Sequence, residues 1–390
     1  MASIIRKGKV PNPPTGMGPY QEQLFTLNGF FGHWAQIYRH RNLSHPKTWS
    51  DEVMYMGADT NSLTPSDLDD PAGAPLTLLS ANDVSVSLSR RSQAPPFAEK
   101  NADFHQIRLY QRGTFLLETE LGPLTVSAGD MVVIPKGLIY RETPHTIDNS
   151  IIIFETKAVI QTAEAMWDSV GFAASFIDYS EMVIPEPGNS DRSPDIDTEV
   201  RVRVNGEYHF LGYDFDPCND VVAWLGDPLI FSLNIWSMPG AGTSNGWLPP
   251  PSGAVFIGED KSFVFNVMAP KPFPTRPAPN GSLGAPGHLN DYDEVWFNHV
   301  SESVPETDGH IWRLPPSLPH PGLKRPPEYP PNPVREIREV KINFDTRSVL
   351  TWSEEARTAF LPDPQVSIYT SLYGTHIGAV PDNVLEYVKK

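Results

Sequence analysis

Short apolar runs separated by turn residues dominate the chain from Pro75 to Thr156. The clearest part is "TFLLETELGPLTVSAGDMVVIPKGLIYRE". Within it "TFLLETEL" and "LTVSAGDMVVIP" read as strands, and Gly122-Pro123 makes a tight turn between them. "SIIIFE" is apolar without alternation, the mark of a strand buried on both faces. Strands resume with "VRVRVNGEYHF" and continue through "VVAWLG", "FSLNIW" and "SFVFNVMAP". Regular short strands of this kind predict a sandwich or small barrel. The spacing in "KAVIQTAEAMWDSVGF" predicts one helix, and shorter helices are expected at "SEEARTAF" and "PDNVLEYVKK". Residues 20–60, rich in aromatics and His, predict an arm or small sheet packed on a larger body.

The acidic, proline-bearing stretch "PEPGNSDRSPDIDTE" breaks this pattern and marks a boundary. The expected units are residues 1–190, an arm and a first barrel, and residues 191–390, a second barrel with a C-terminal extension. Residues 269–286 form a Pro/Gly-rich connection. "LPPSLPHPGLKRPPEYPPNPVREI" is too dense in proline for a helix and predicts a rigid surface or site loop.

Composition sharpens this picture. A chain of 390 residues carries a soft prior of two to three domains. Its 39% hydrophobic residues suffice for a packed interior, and 41 prolines disfavour long helices. A net charge of −17 repels nucleic acid and anionic membranes, so neither is expected as a partner. Cys218 is the single cysteine, which excludes an internal disulfide or a multi-cysteine metal site and predicts a buried thiol. No stretch approaches the roughly 20 apolar residues of a spanning helix, and "MASIIRKGKVPNPP" has no apolar signal core. A soluble, cytoplasmic protein is expected.

The densest concentration of potential ligands is "GHLNDYDEVWFNH", from Gly287 to His299. His288, Asn290, Tyr292 and Glu294 share one parity and would face the same side of a continuous strand. Six residues of strand span roughly 20 Å, too far for His288 and Glu294 to share an ion at bonds of about 2 Å. A metal site here requires a bend between Asn290 and Glu294, with Asp291, Tyr292 and Asp293 as turn formers and a second strand "EVWFN" opening at Glu294. Two His and one carboxylate on one face of an ion, with other positions open, is the arrangement of non-haem iron(II) oxygenases. The second His must come from elsewhere. His320, set between prolines in "SLPHPG", competes with His310 and with His299, whose parity is opposite to that of Glu294. The alternative is a solvated acidic loop in which Asn290 serves a turn.

Other candidates are weaker. "GTSNG" fits the G-x-S-x-G pattern of serine hydrolases, but the Trp247-Leu248-Pro249-Pro250-Pro251 run that follows cannot open the required helix. His105 and His145 bracket the first barrel, but Tyr140 stands where the cupin strand pattern carries a His, which makes that barrel a metal-free scaffold. His33, His40 and His45 read as packing residues among aromatics and Arg, and the tryptophans read as core. "LKRPPEY" is a small basic island in an acidic chain.

Several segments, in order, resemble the homogentisate dioxygenase family, which includes the large subunits of hydroquinone dioxygenases. "GPYQEQLFTLNGFFGHWAQIYRHRNLSHP" is similar to its amino-terminal Tyr-x-Glu-Gln-Leu segment. "LETELGPLTVSAGDMVVIPKGLIYR" resembles its first, metal-free cupin barrel, and "VVAWLGDPLIFSLNI" the segment entering its second. "GHLNDYDEVWFNH" matches its His-x-Asn-x3-Glu motif, and "LPHPG" resembles its distal His site.

The resemblance implies an all-β bicupin, two jelly-roll barrels with a few short helices. It implies Fe2+ held by His288, Glu294 and His320, with Asn290 as a further ligand or a residue orienting water. The implied activity is oxygen-dependent cleavage of a para-dihydroxylated aromatic ring, with a small aromatic substrate, O2 and a homo-oligomeric assembly as partners. Asn290 and Tyr292 are the expected catalytic residues, Tyr292 or Asn245 holding the distant hydroxyl. The chain departs from homogentisate enzymes in two places: "TSNGWLPPPSGAVF" has no His, and "WRLPPSLPHPG" offers Arg313 and Ser317 in place of a His before the distal ligand. These departures favour a neutral or substituted hydroquinone over homogentisate. They also keep open a cupin metalloenzyme of isomerase or decarboxylase chemistry and a catalytically inactive binding cupin.

Overall fold

The computed structural model describes residues 5, 7–8, 21–41, 43, 46–50, 53–163, 177–188, 195–238, 253–268, 271–272, 287–301, 305–320, 336–337 and 339–362. Strands stack in three main layers with a small arm at one side. The outer sheet has the order Glu207–Tyr213, Thr198–Val204, Ala98–Asn101, Ile139–Pro144, Phe115–Thr119, Leu124–Val126. The middle sheet runs Phe231–Asn234, Asp130–Ile134, His105–Arg112, Ser150–Thr156, Val84–Ser89, Leu76–Ser80, Thr351–Trp352. The site sheet runs Ile160–Thr162, Ala254–Gly258, Phe263–Met268, Glu339–Thr346, Asp293–Ser301, His310–Leu314, Met56–Asp59. The arm is a hairpin, Gln21–Thr26 with Trp34–Arg39, joined in parallel by Gly287–Leu289.

Period-2 alternation assigns the two faces of the middle sheet. Tyr110, Val132, Ile151 and Ile153 pack toward Phe115, Leu117, Val126 and Tyr140 of the outer sheet, filling the first barrel. Their neighbours Ile107, Leu109, Val133, Ile152 and Phe154 pack toward Phe265, Val295, Phe297, Ile342 and Phe344 of the site sheet. The middle sheet is therefore buried on both faces, which is why "SIIIFE" lacks alternation. The fold is all-β in two barrel halves, as expected for a bicupin.

Strand exchange ties the halves together. Met56–Asp59 and Ile160–Thr162 close the two edges of the site sheet, whereas Thr351–Trp352 ends the middle sheet. Thr198–Val204 and Phe231–Asn234 also join the first barrel's sheets. Strand pairing thus crosses residue 190 in both directions.

Most sequence-predicted strands form. "LTVSAGDMVVIP" is two of them, Leu124–Val126 and Asp130–Ile134, and the Gly122 turn closes with its N–H on the Thr119 carbonyl at 2.9 Å. "VRVRVNGEYHF" becomes a hairpin whose Asn205-Gly206 turn takes φ +53° and +80°, the mirror-image turn that suits strand twist. The cap is a four-residue helix, Glu354–Arg357, with Ser353 Oγ accepting from the Ala356 N–H. The tail "PDNVLEYVKK", "GTSNG", "LKRPPEY" and His45 lie outside the described residues.

Several expectations need correction. "VVAWLG" forms no strand: Val222 and Leu225 are exposed, and the segment is pinned through Trp224 Nε1 to the carbonyls of Leu121 and Pro185. The segment Phe231–Asn234 that follows pairs with Asp130–Ile134 in the middle sheet and turns Phe231 and Leu233 into the core shared with the site sheet, Phe231 lying 6.1 Å from Phe256 between ring centroids. The helix expected from residue 157 does not begin there: Ile160–Thr162 is an edge strand on Ala254–Gly258, because pairing with an open edge outweighs helical periodicity. The rest of that stretch lies outside the described residues. Trp34, Trp49 and Trp236 are exposed, unlike the core residues Trp296, Trp312 and Trp352, and His33 and His40 are exposed rather than packed.

The first barrel contains a buried ionic network. Arg108 pairs with Glu142 at 2.8 Å and reaches the Tyr140 hydroxyl at 3.0 Å, while the Tyr110 hydroxyl donates to Glu142 at 2.6 Å. Glu142 holds the Arg108 pKa well above its ordinary value against the effect of burial. Cys218 is buried, which pushes its thiol pKa up to about 12.

Candidate metal centre

His288 sits on Gly287–Leu289, with Leu24 of the arm opposite it in parallel register. Its other backbone edge meets His320 in an antiparallel bridge, His288 N–H to His320 O and His320 N–H to His288 O, both 3.1 Å. Paired backbones put the two imidazoles side by side, with ring centroids 4.1 Å apart at 69°. The loop carrying His320 is also clipped by the Ser317 N–H to the Asn290 carbonyl at 2.7 Å.

The required bend is present. Asn290 Oδ1 accepts the Tyr292 N–H at 2.8 Å, an Asx turn that reverses the chain before the strand Asp293–Ser301 begins. The strand opens one residue earlier than expected. Asp291 does not shape the bend with its side chain: its carboxylate leaves the turn to accept the N–H groups of Asn28 and Gly29 in the arm at 2.9 and 2.8 Å. Asp293 is not a turn former either. Its Oδ2 accepts Arg313 Nε and the Leu350 N–H, both at 2.8 Å, and burial pushes its pKa up to about 6.

The bend returns Glu294 to His288. Glu294 Oε1 lies 3.1 Å from His288 Nε2, and Oε2 lies 3.1 Å from His320 Nε2. The three ligand atoms all lie within 4.8 Å of one another. Cis ligands at bonds of about 2.1 Å stand roughly 3 Å apart, so the spacing suits a facial set. Among the described residues this is the group of His, Cys, Asp and Glu that can hold a metal. All three side chains are buried, and burial lowers the His288 pKa, with His320 adding to the effect. The two His hold the Glu294 carboxyl well below the usual carboxylate range despite its burial. A neutral His288 and an ionised Glu294 suit a divalent cation, which binds the deprotonated forms of its ligands.

Groups not singled out by the sequence surround Glu294. Trp296 Nε1 donates to Oε2 at 2.8 Å, and Asn343 Nδ2 approaches the same oxygen at 3.4 Å. Asp345 is opposite Glu294 in register and fully buried, which together with the Glu294 charge raises its pKa well above the ordinary value. The imidazoles are set by Phe30, 5.6 Å from His288, and by Trp296, edge-on to His320 at 5.8 Å. The Nδ1 atoms of His288 and His320 have no partner among the described residues, so carboxylate orientation carries the support around the site. A signal for these groups existed: "FVFN" and "KINFDT" place Asn266, Lys341, Asn343 and Asp345 at alternate positions in otherwise apolar strands.

The remaining candidates take other places. Tyr292 is buried, but its hydroxyl lies 2.6 Å from the Lys261 carbonyl and 2.9 Å from Asn28 Oδ1, so its proton is engaged there. Asn290 uses Oδ1 in the bend and keeps a buried Nδ2 without a partner among the described residues. His299 lies at a β-bulge of the Asp293–Ser301 strand, buried and outside the cluster, and His310 pairs opposite Asp59.

Residues 95–235, covering strands of both first-barrel sheets, match the family model described as homogentisate 1,2-dioxygenase N-terminal. Over this stretch the chain resembles the homogentisate dioxygenase family. A protein of Saccharolobus solfataricus named "Putative dioxygenase" is 25% identical over 272 residues, which are 66% of this chain and 68% of that one. Together these matches support a cupin-type dioxygenase. Among solved structures, a cupin barrel protein from Leptotrichia buccalis is 10% identical with a TM-score of 0.35, covering 74% of this chain and 95% of its own. A variant of Bacillus subtilis oxalate decarboxylase is 8% identical with a TM-score of 0.37, covering 88% and 89%.

Proposed function

We propose that the protein is a non-haem iron(II) dioxygenase that opens the ring of a hydroquinone-type phenol with O2. The observation that carries this reading is the convergence of His288, Glu294 and His320, all buried, at the spacing of a facial triad. In this reading these residues hold Fe2+, which supplies open positions where phenolate and oxygen meet and electrons pass between them.

The chain's own part is to bind, orient and exclude water. Glu294 offsets part of the cation's charge, and its orientation is fixed by the Trp296 N–H and by Asn343. Phe30 and Trp296 wall the imidazoles and keep the site dry, which strengthens electrostatic interactions inside it. Asn290 acts through its spare Nδ2–H, orienting a water or a substrate oxygen. Tyr292 serves the site by fastening the arm. Arg313 has its charge matched by Asp293 at 2.8 Å, which argues against its gripping a substrate carboxylate and favours a neutral hydroquinone over homogentisate. The cytoplasm, where such small phenols are degraded, is the location proposed, and a homo-oligomer the assembly.

Protein reconstituted anaerobically with ferrous iron is expected to bind one iron per chain and to consume O2 with at least one of hydroquinone, methoxyhydroquinone, homogentisate and gentisate. His288→Ala and His320→Ala are each expected to lower the iron content. No oxygen uptake across the panel, or unchanged iron in both variants, overturns the reading. Turnover of a substrate without oxygen would instead point to isomerase or decarboxylase chemistry.

A further inference from the structure

Five side chains around Glu294 share one face of the site sheet. Val295, Phe297, Ile342, Phe344, Phe263 and Phe265 turn toward the middle sheet. Their alternates Glu294, Trp296, Asn343, Asp345 and Asn266 therefore lie on the opposite face, the one that carries the triad. Register places Trp296, Asn343 and Asn266 in one row across three strands, with Glu294 and Asp345 in the next. All five are buried.

Their hydrogen bonds fix a direction. Asn343 turns its NH2 to Glu294 Oε2 at 3.4 Å. The Asn343 carbonyl then faces Asn266, which must present its own NH2, 3.2 Å from Asn343 Oδ1 and 3.2 Å from Asp345 Oδ2. Both donor hydrogens of Asn266 are used. Its carbonyl oxygen is left with no donor among the described residues, in a side chain only 1% exposed. Buried acceptors in folded proteins are satisfied, so this one calls for a donor beyond the described residues, and a bound ligand can be that donor.

We propose that Asn266 Oδ1 accepts the second, distant hydroxyl of a para-dihydroxylated ring whose first hydroxyl lies at His288, Glu294 and His320. This rests on the iron dioxygenase reading and deepens it by naming a specificity-determining residue. Asn266 is two strands from Glu294, roughly 10 Å between backbones. The ligand class follows from the atom: a carbonyl oxygen takes a hydroxyl proton, and a substituent without one leaves it unpaired.

The test is anaerobic calorimetry of the ferrous protein with hydroquinone, phenol and 4-fluorophenol, whose fluorine approximates the size of a hydroxyl but donates nothing. Hydroquinone is expected to bind at least about tenfold tighter than the other two, the effect of leaving a buried acceptor unpaired. Asn266→Leu is expected to abolish that preference, the iron-loaded variant binding hydroquinone no tighter than phenol. Equal binding of hydroquinone and 4-fluorophenol by the unaltered protein overturns the proposal without any variant, as does a preference that survives in Asn266→Leu. Protein that holds no iron, or binds none of the three phenols, overturns the dioxygenase reading, and the Asn266 subsite falls with it.

Discussion

Burial strips His299 of solvent with no nearby carboxylate to offset it, and its pKa falls to about 4. The neutral imidazole is the folded form, whereas the unfolded chain takes up a proton near pH 6.5. Between those values the unfolded state binds more protons, so stability rises with pH there and is lost as pH falls from about 6.5 to about 4. The full difference is on the order of 3 kcal/mol. Denaturant midpoints measured from pH 7 to pH 4 are expected to drop, and His299→Gln is expected to flatten that part of the profile. A variant with the same acid slope as the parent would remove His299 as its source. Sequence parity separated His299 from Glu294 but revealed nothing of its depth. Parity and strand length did require a bend after Asn290, and the bend is there. Asn290 is open from sequence to a ligand role or a turn role, and its Oδ1 takes the turn role by accepting the Tyr292 N–H.

At the scale of elements, the arm hairpin depends on one carboxylate. Asn28 and Gly29 both take positive φ, +53° and +57°, so their N–H groups converge, and Asp291 accepts both. Behind them the Tyr292 ring leaves no room for a side chain at Gly29: a Cβ would stand 2.9 Å from two ring carbons. Asp291→Ala removes the acceptor without touching the triad. It is expected to cost about 1–2 kcal/mol, the usual scale for charge-assisted hydrogen bonds at a partly exposed site. Hydrogen exchange over residues 21–39 should quicken in this variant while the middle sheet keeps its protection. Uniform exchange in both regions would mean that the arm is held by other contacts. The arm itself was legible as an aromatic-rich element outside the barrels. Its parallel pairing with Gly287–Leu289 was not, since a three-residue strand leaves no periodicity to read. "VVAWLG" shows the converse: an apolar run satisfies strand composition, yet without a partner edge it stays exposed.

At the scale of the molecule, the middle sheet belongs to both barrels, and Phe154 is where they meet most closely. Its ring lies edge-on to Phe265 at 5.1 Å and tilted to Phe344 at 5.3 Å, both across the gap to the site sheet. On its own strand, Ile151 and Ile153 turn the other way into the first barrel. The period of two therefore writes both cores into "SIIIFE", but one sequence cannot say which layer covers the second face. A shared layer, reinforced by strands exchanged between the halves, couples the melting of one half to the other. Phe154→Ala removes a fully buried ring and is expected to cost about 3–5 kcal/mol through lost burial and the cavity left behind. Calorimetry of the parent is expected to show one transition, and the variant one transition at lower temperature. If the barrels were independent, two transitions would separate and the substitution would move them unequally. Iron loading gives a second handle on the same coupling, since a ligand bound only by the folded state raises the melting temperature of every part that unfolds with the site. A hydrogen-exchange gain on iron binding in the middle sheet as well as the site sheet is the outcome expected of one cooperative unit.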